Sequence, residues 1–223
     1  MSLELNPAPE ITPSGAGSSA QAFQGPCHDN TSTPDTARLG YLLITSPRPN
    51  VYMGGLMVTD GYGLPAHFCY TEPTQPTKIQ QVLYGETLAR HIKTEVIAKS
   101  LVKQSQQLPN IILTEDETLV NTLPGCLSQQ TVMRIRKTNS KAIGAVGWVQ
   151  PLATNEYLLQ VGTDYPPYRL QWAQTPPSPE AQQASMAMLH PILTASGSFM
   201  DITEPLRRIE KALEMILQEQ DDG

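Results

Sequence analysis

The chain has 223 residues, of which 39% are hydrophobic and 16% charged, and a net charge of −6. That length holds one domain, or two small ones, with a core of useful size. Residues 1–37 carry Glu4, Glu10, Asp29 and Asp35 and no Lys or Arg, so residues 38–223 carry only −2, too near neutral to predict general affinity for nucleic acid or an anionic membrane. Cys27, Cys69 and Cys126 are odd in number and scattered, which argues against a disulfide framework and for a reducing compartment. The first residues lack the basic and apolar regions of a secretory signal, and no stretch approaches the roughly 20 apolar residues of a membrane span. A soluble, cytoplasmic protein is expected.

Residues 1–37 are rich in Pro, Ser, Gly, Ala and Thr, and Leu3, Leu5, Ile11 and Phe23 follow no helical or strand period. Such a segment buries too little surface to offset its ordering entropy, so a disordered tail is expected. A single α+β domain follows over residues 38–218, with 219–223 as an acidic disordered end. Strands are predicted at Leu39–Thr45, Val51–Thr59 and Leu64–Thr71, joined by Pro- and Gly-rich turns into an antiparallel meander. Gly54-Gly55 weakens the second strand and points to a bulge or a close backbone contact.

A long helix is predicted over 77–107. Thr77 and Gln80 have the spacing of a capping box, and Ile79, Val82, Leu83, Leu88, Ile92, Val96, Ile97 and Leu101 give a broad apolar face. Gly85 suggests a close contact. Ile111-Ile112-Leu113 reads as a buried parallel strand, and Glu117–Leu123 as a helical turn. Four further strands, Thr131–Lys137, Lys141–Val149, Tyr157–Gly162 and Tyr168–Ala173, suggest a second meander. Pro179 opens a helix to about Met188, stopping before Pro191, and a last helix starts near Thr203. The fold class expected is α+β, with a mixed, mainly antiparallel sheet covered by one long helix and two C-terminal helices.

The order β-β-β-α-β resembles the opening of RNase H-like folds and of actin-like ATPase halves. In RNase H-like enzymes, carboxylates from the first strand, the helix and the end of the fourth strand hold two metal ions. The resemblance makes Glu86, with Glu115 or Asp116, the candidate acids here. The first strand, Gly40-Tyr41-Leu42-Leu43-Ile44-Thr45, has none, so such a metal set is incomplete. The stretch from Gly54 to Val120 also resembles bacterial sequences, without a family motif.

His67 and Cys69 lie two apart on a strand and share a face. With Cys126 they are the candidates for zinc or a Cys–His dyad, although the close ligand pairs of zinc sites are missing. Arg134 and Arg136 share the face opposite Met133 and Ile135, and with Lys137 and Lys141 they form the one basic cluster, a candidate nucleic-acid surface. No phosphate loop or metal motif occurs, so no cofactor and no metal are expected. In the last helix Ile202, Leu206, Ile209, Leu213 and Ile216 form a 4-3-4-3 stripe that needs a packing partner.

Without a complete catalytic set, the leading expectation is a non-catalytic adaptor or assembly subunit. It would bind another protein, or itself, through the C-terminal helix, with nucleic acid an unlikely partner. The alternatives are an RNase H-like hydrolase or degenerate relative, and a nucleic-acid accessory protein using the basic strand face.

Overall fold

A computed structural model describes Phe23–Gln24 and residues 38–105, 109, 111–125, 127, 130–163, 165–173 and 179–222. A two-residue strand, β1 (Phe23–Gln24), precedes the meander β2 (Leu39–Arg48), β3 (Val51–Thr59) and β4 (Pro65–Tyr70). After the first helices come β5 (Ile111–Thr114), β6 (Thr131–Lys137), β7 (Val149–Ala153), β8 (Glu156–Leu159) and β9 (Tyr168–Gln171). They form one sheet in the order β1-β4-β3-β2-β5-β6-β9-β8-β7. Only β2–β5 and β5–β6 are parallel. The fold is thus α+β on a mixed, mainly antiparallel sheet. The rest of the N-terminal tail lies outside the described residues, but Phe23 and Gln24 pair with Phe68 and His67.

The predicted long helix is a chain of shorter pieces. It comprises α1 (Lys78–Tyr84), a 3-10 turn (Gly85–Thr87), α2 (Leu88–His91), a π-helical stretch (Ile92–Ala98) and α3 (Lys99–Gln104). Both arms of the Thr77–Gln80 capping box form. Gly85 adopts φ +50°, and nothing lies within 4 Å of where its Cβ would be, so it serves a change of direction rather than a close contact. As a consequence, Ile79, Val82 and Leu83 of α1 remain 69%, 83% and 61% exposed, while Leu88, Ile92, Ile97 and Leu101 beyond the break are buried.

Two apolar layers flank the sheet. On one face Leu42, Leu56, Ile112 and Val132 pack under α2, the π-helical stretch, α3 and α4 (Glu117–Thr122). On the other, Tyr41, Met53, Leu113, Met133 and Leu170 pack under α5 (Pro179–Gly197) and α6 (Glu204–Asp222). Gly54 and Gly55 serve both layers. A Cβ on Gly54 would fall 2.3 Å from Ile97 Cγ2, and one on Gly55 2.7 Å from Ile209 Cγ2. The ladder runs unbroken through both glycines, so close helix approach, not a bulge, explains the pair.

In the second half, Lys141–Trp148 is a loop and the strand starts at Val149. Gly147 at φ +88° and a turn bond from Trp148 N–H to the Ala145 carbonyl (2.9 Å) turn the chain there. Helix α5 continues through Pro191 to Gly197, because Leu189 and Leu193, both fully buried, anchor it across the break in hydrogen bonding. Helix α6 runs to Asp222, past the expected end of order at 218. Its stripe packs on its own sheet: Ile202, Leu206, Ile209 and Leu213 are buried, and Ile216 is partly buried against the same core. That removes the basis for self-association or partner binding through this helix.

Candidate functional site

Strand β5 is the middle of three parallel strands. At its C-terminal end the chain leaves the sheet through Glu115-Asp116-Glu117 and enters α4. Asp116 caps that helix, Oδ1 accepting from Thr118 N–H at 2.8 Å, while Thr114 Oγ1 accepts from Asp116 N–H at 3.2 Å. The other carboxylate oxygen, Oδ2, accepts from Lys93 Nζ at 2.7 Å. Lys93 is the second residue of the π-helical stretch, a local widening that recurs at functional positions. Burial alone would raise the Asp116 pKa. The Lys93 hydrogen bond and charge, with the Thr118 amide, outweigh it and hold the carboxyl below its ordinary value.

Of the two flanking acids, Glu117 is also committed. Glu117 Oε2 accepts from Arg134 Nη1 at 2.6 Å, and Arg134 Nε donates to the Glu115 carbonyl at 2.9 Å. The Glu115 side chain is exposed. Glu86 is exposed in the 3-10 turn, seven residues and about 10 Å of helix axis before Lys93. The helix therefore brings an ammonium, not Glu86, to Asp116. On β2 the positions facing this helix are Leu42 and Ile44, both apolar. Among the described residues no three His, Cys, Asp or Glu side chains gather as a metal set. The donor set does not fit the paired metal ions of RNase H-like hydrolases.

Cys69 is buried in the helix-side core, its thiol 3.8 Å from the Leu101 carbonyl and pushed up to about 11 by burial. His67 is also buried, burial lowers its pKa, and Nε2 has no partner among the described residues. Among the described residues neither group has the activating neighbour a dyad requires. Cys126 lies outside the described residues.

Arg134 and Arg136 do share a face, opposite the buried Met133 and Ile135. Lys137 instead pairs with Asp201 on the other side of the sheet. There Tyr168 Oη (2.6 Å) and Thr203 N–H (3.0 Å) also donate to Asp201 Oδ1. Burial would raise the Asp201 pKa, but the bonds from Lys137, Tyr168 and Thr203 win and hold it at about 2. Lys141 is exposed in the loop after β6. Sequence reading passed over Lys93, Arg169 and Trp148. Arg169 shows a signal in hindsight, since it alternates with Tyr168 and Leu170 as Arg134 alternates with Met133 and Ile135. The Lys93–Asp116 contact joins residues 23 apart and left no local trace.

No family model matches the chain, and no curated protein matches it in sequence. Among solved structures it is similar to endonuclease V from Streptomyces avermitilis, with 13% identity, 84% of each chain covered and a TM-score of 0.51. Endonuclease V from Ciona intestinalis, in complex with a DNA 24mer containing inosine followed by a ribo-adenosine, matches at 9% identity over 81% of this chain and 87% of that one, with a TM-score of 0.44. Human ENDOV matches at 11% identity over 70% and 84%, with a TM-score of 0.39. The Streptomyces likeness shows a shared fold. It corrects the expectation of an adaptor acting through protein–protein contacts with nucleic acid an unlikely partner, and favours the RNase H-like alternative. Among the described residues no helix is long and apolar enough to cross a membrane.

Proposed function

We propose that this protein binds nucleic acid on an endonuclease-like fold and that its acidic site is a degenerate one, unable to hydrolyse phosphodiesters by the paired-metal route. The fold is supported by the likeness to endonuclease V, although fold alone does not fix an activity. The observation that carries the reading is the 2.7 Å contact of Lys93 Nζ with Asp116 Oδ2. A cation of the chain itself neutralises the carboxylate best placed to hold a metal. Leu42 and Ile44 supply no second ligand.

Denaturing gels of end-labelled inosine-containing DNA, unmodified DNA and RNA, incubated with Mg²⁺ or Mn²⁺, test this, paired with native gels of the same mixtures. Shifted but uncut nucleic acid is the expected result. Metal-dependent cleavage that survives Asp116→Asn would exclude this site from the chemistry. Cleavage abolished by Asp116→Asn would make it an active hydrolase and overturn the proposal.

A further inference from the structure

The helical layer that covers one face of the sheet stops at β6. Beyond it, among the described residues, no helix covers that face of β9, β8 and β7; the loop after β6 buries Leu158 and Gln160 on it, while Arg136, Gln150 and Trp148 stay exposed. Register pairs Arg136 with Arg169, Arg169 with Leu158, and Leu158 with Gln150, a row running straight across the four strands. Two arginines directly opposite each other repel, which disfavours the pair unless an anion joins them. Glu156 binds Arg169 directly, through both guanidinium Nε and Nη2 (2.6 Å for the latter), and feels the charge of Arg136 without a direct ion pair to it. Arg136 is exposed and has no ion pair among the described residues.

The loop after β6 borders this row. It passes Lys141, also exposed and without an ion pair among the described residues, and folds over β8, where Ile143 N–H donates to Gln160 Oε1 at 3.0 Å. It ends at Trp148, which joins the sheet through Gln160 N–H at 2.9 Å from its carbonyl. Val149 packs into the core under α5 and α6, so alternation puts Trp148 on the opposite face, the one that carries Arg136 and Arg169. The residue is 56% exposed. The loop backs it at Gly144, where a Cβ would fall 2.9 Å from the ring. An indole supported on one side and open on the other is a platform for an unpaired base. From Arg136 to Trp148 is about 16 Å by strand spacing and rise.

We infer that the face of β6, β9, β8 and β7 carrying Arg136 and Trp148 binds single-stranded nucleic acid, with phosphates at Arg136 and Lys141 and a base stacked on Trp148. This rests on the nucleic-acid reading above and adds the surface and the strand state. Phosphate chemistry follows from the unpaired cations, and the preference for a single strand follows from the ring, since stacking needs a base released from its pair.

The chain has two tryptophans, and Trp172 is 3% exposed. Both contribute to intrinsic fluorescence, but quenching by a base stacked from solvent falls on Trp148, and Trp148→Ala supplies the Trp172 background. Titration with a fluorescein-labelled 20-nucleotide single strand, followed by anisotropy and with an unlabelled strand by tryptophan fluorescence, is the test. Expected are quenching by the single strand, weaker binding of the matching duplex, about tenfold loss for Trp148→Ala, and a shallower salt dependence for Arg136→Gln. Unchanged urea midpoints show that both variants fold. Binding with no quenching and no effect of either substitution overturns this surface while leaving nucleic-acid binding intact. No binding of any nucleic acid overturns both.

Discussion

Replacing Lys93 with Met keeps the apolar stem and removes the ammonium. The Lys93 and Asp116 side chains are 28% and 19% exposed, so the pair is partly desolvated but not sealed. A hydrogen bond to a charged group contributes about 1.5–3 kcal/mol, and residual solvent access reduces that to about 1–2 kcal/mol. Asp116 keeps its Thr118 amide, so the carboxylate is weakened rather than orphaned. For a chain of this size the loss corresponds to about 3–6 °C in Tm. The pH dependence has a definite sign. Because the folded Asp116 pKa lies below the unfolded one, its contribution is present above the unfolded value and fades as pH falls through the folded one. Lys93→Met removes part of that slope and moves the Asp116 titration upward. Urea denaturation between pH 7 and pH 3, with carboxyl NMR titration, measures both effects. A double-mutant cycle with Asp116→Asn isolates the coupling. Unchanged stability together with an unmoved Asp116 titration would refute the pairing, and with it the claim that an internal cation holds this site.

Other residues give independent checks. Gly54→Ala places a methyl 2.3 Å from Ile97 Cγ2 and should cost about 1–3 kcal/mol by overpacking, read as a lowered urea midpoint; a neutral result contradicts the close helix approach. Asp201→Asn should remove about 2 kcal/mol at pH 7, because its folded pKa is held at about 2. This contribution is present above the ordinary carboxyl range and lost as pH falls toward 2, so wild type and variant should converge in acid. Ile209→Ala, at a fully buried position, should cost about 2–5 kcal/mol with no change in oligomeric state by light scattering. A change of state without lost stability would restore the helix as an intermolecular surface.

What could be read from the sequence was set by local chemistry. Apolar runs between turn residues fixed β2 and β3, alternation fixed β6, and the Thr77–Gln80 box fixed the start of α1. The parallel placement of β5 followed from a short apolar run after a helix. The break at Gly85 was invisible because Ile79, Val82 and Leu83 continue the helical period of Leu88 and Ile92; periodicity records spacing, not whether a face meets the sheet. The stripe on α6 named its buried residues without saying whether they met another chain or their own sheet. At the candidate site, Asp116 was visible as an acid after a buried strand. Its partner was not, since Lys93 reads as an ordinary polar helix residue until the fold carries it to β5. Trp148 was hidden by the assignment of its loop to a strand, where its ring would have counted as core.

The central claim is that the chain binds nucleic acid and leaves it intact. A time course of fluorescence anisotropy with an end-labelled single strand, before and after adding Mn²⁺, addresses both halves in one trace. The account predicts a rise on mixing that holds steady through metal addition. Absence of any rise, or a metal-dependent fall below the starting value as the labelled end is cut free, would contradict it.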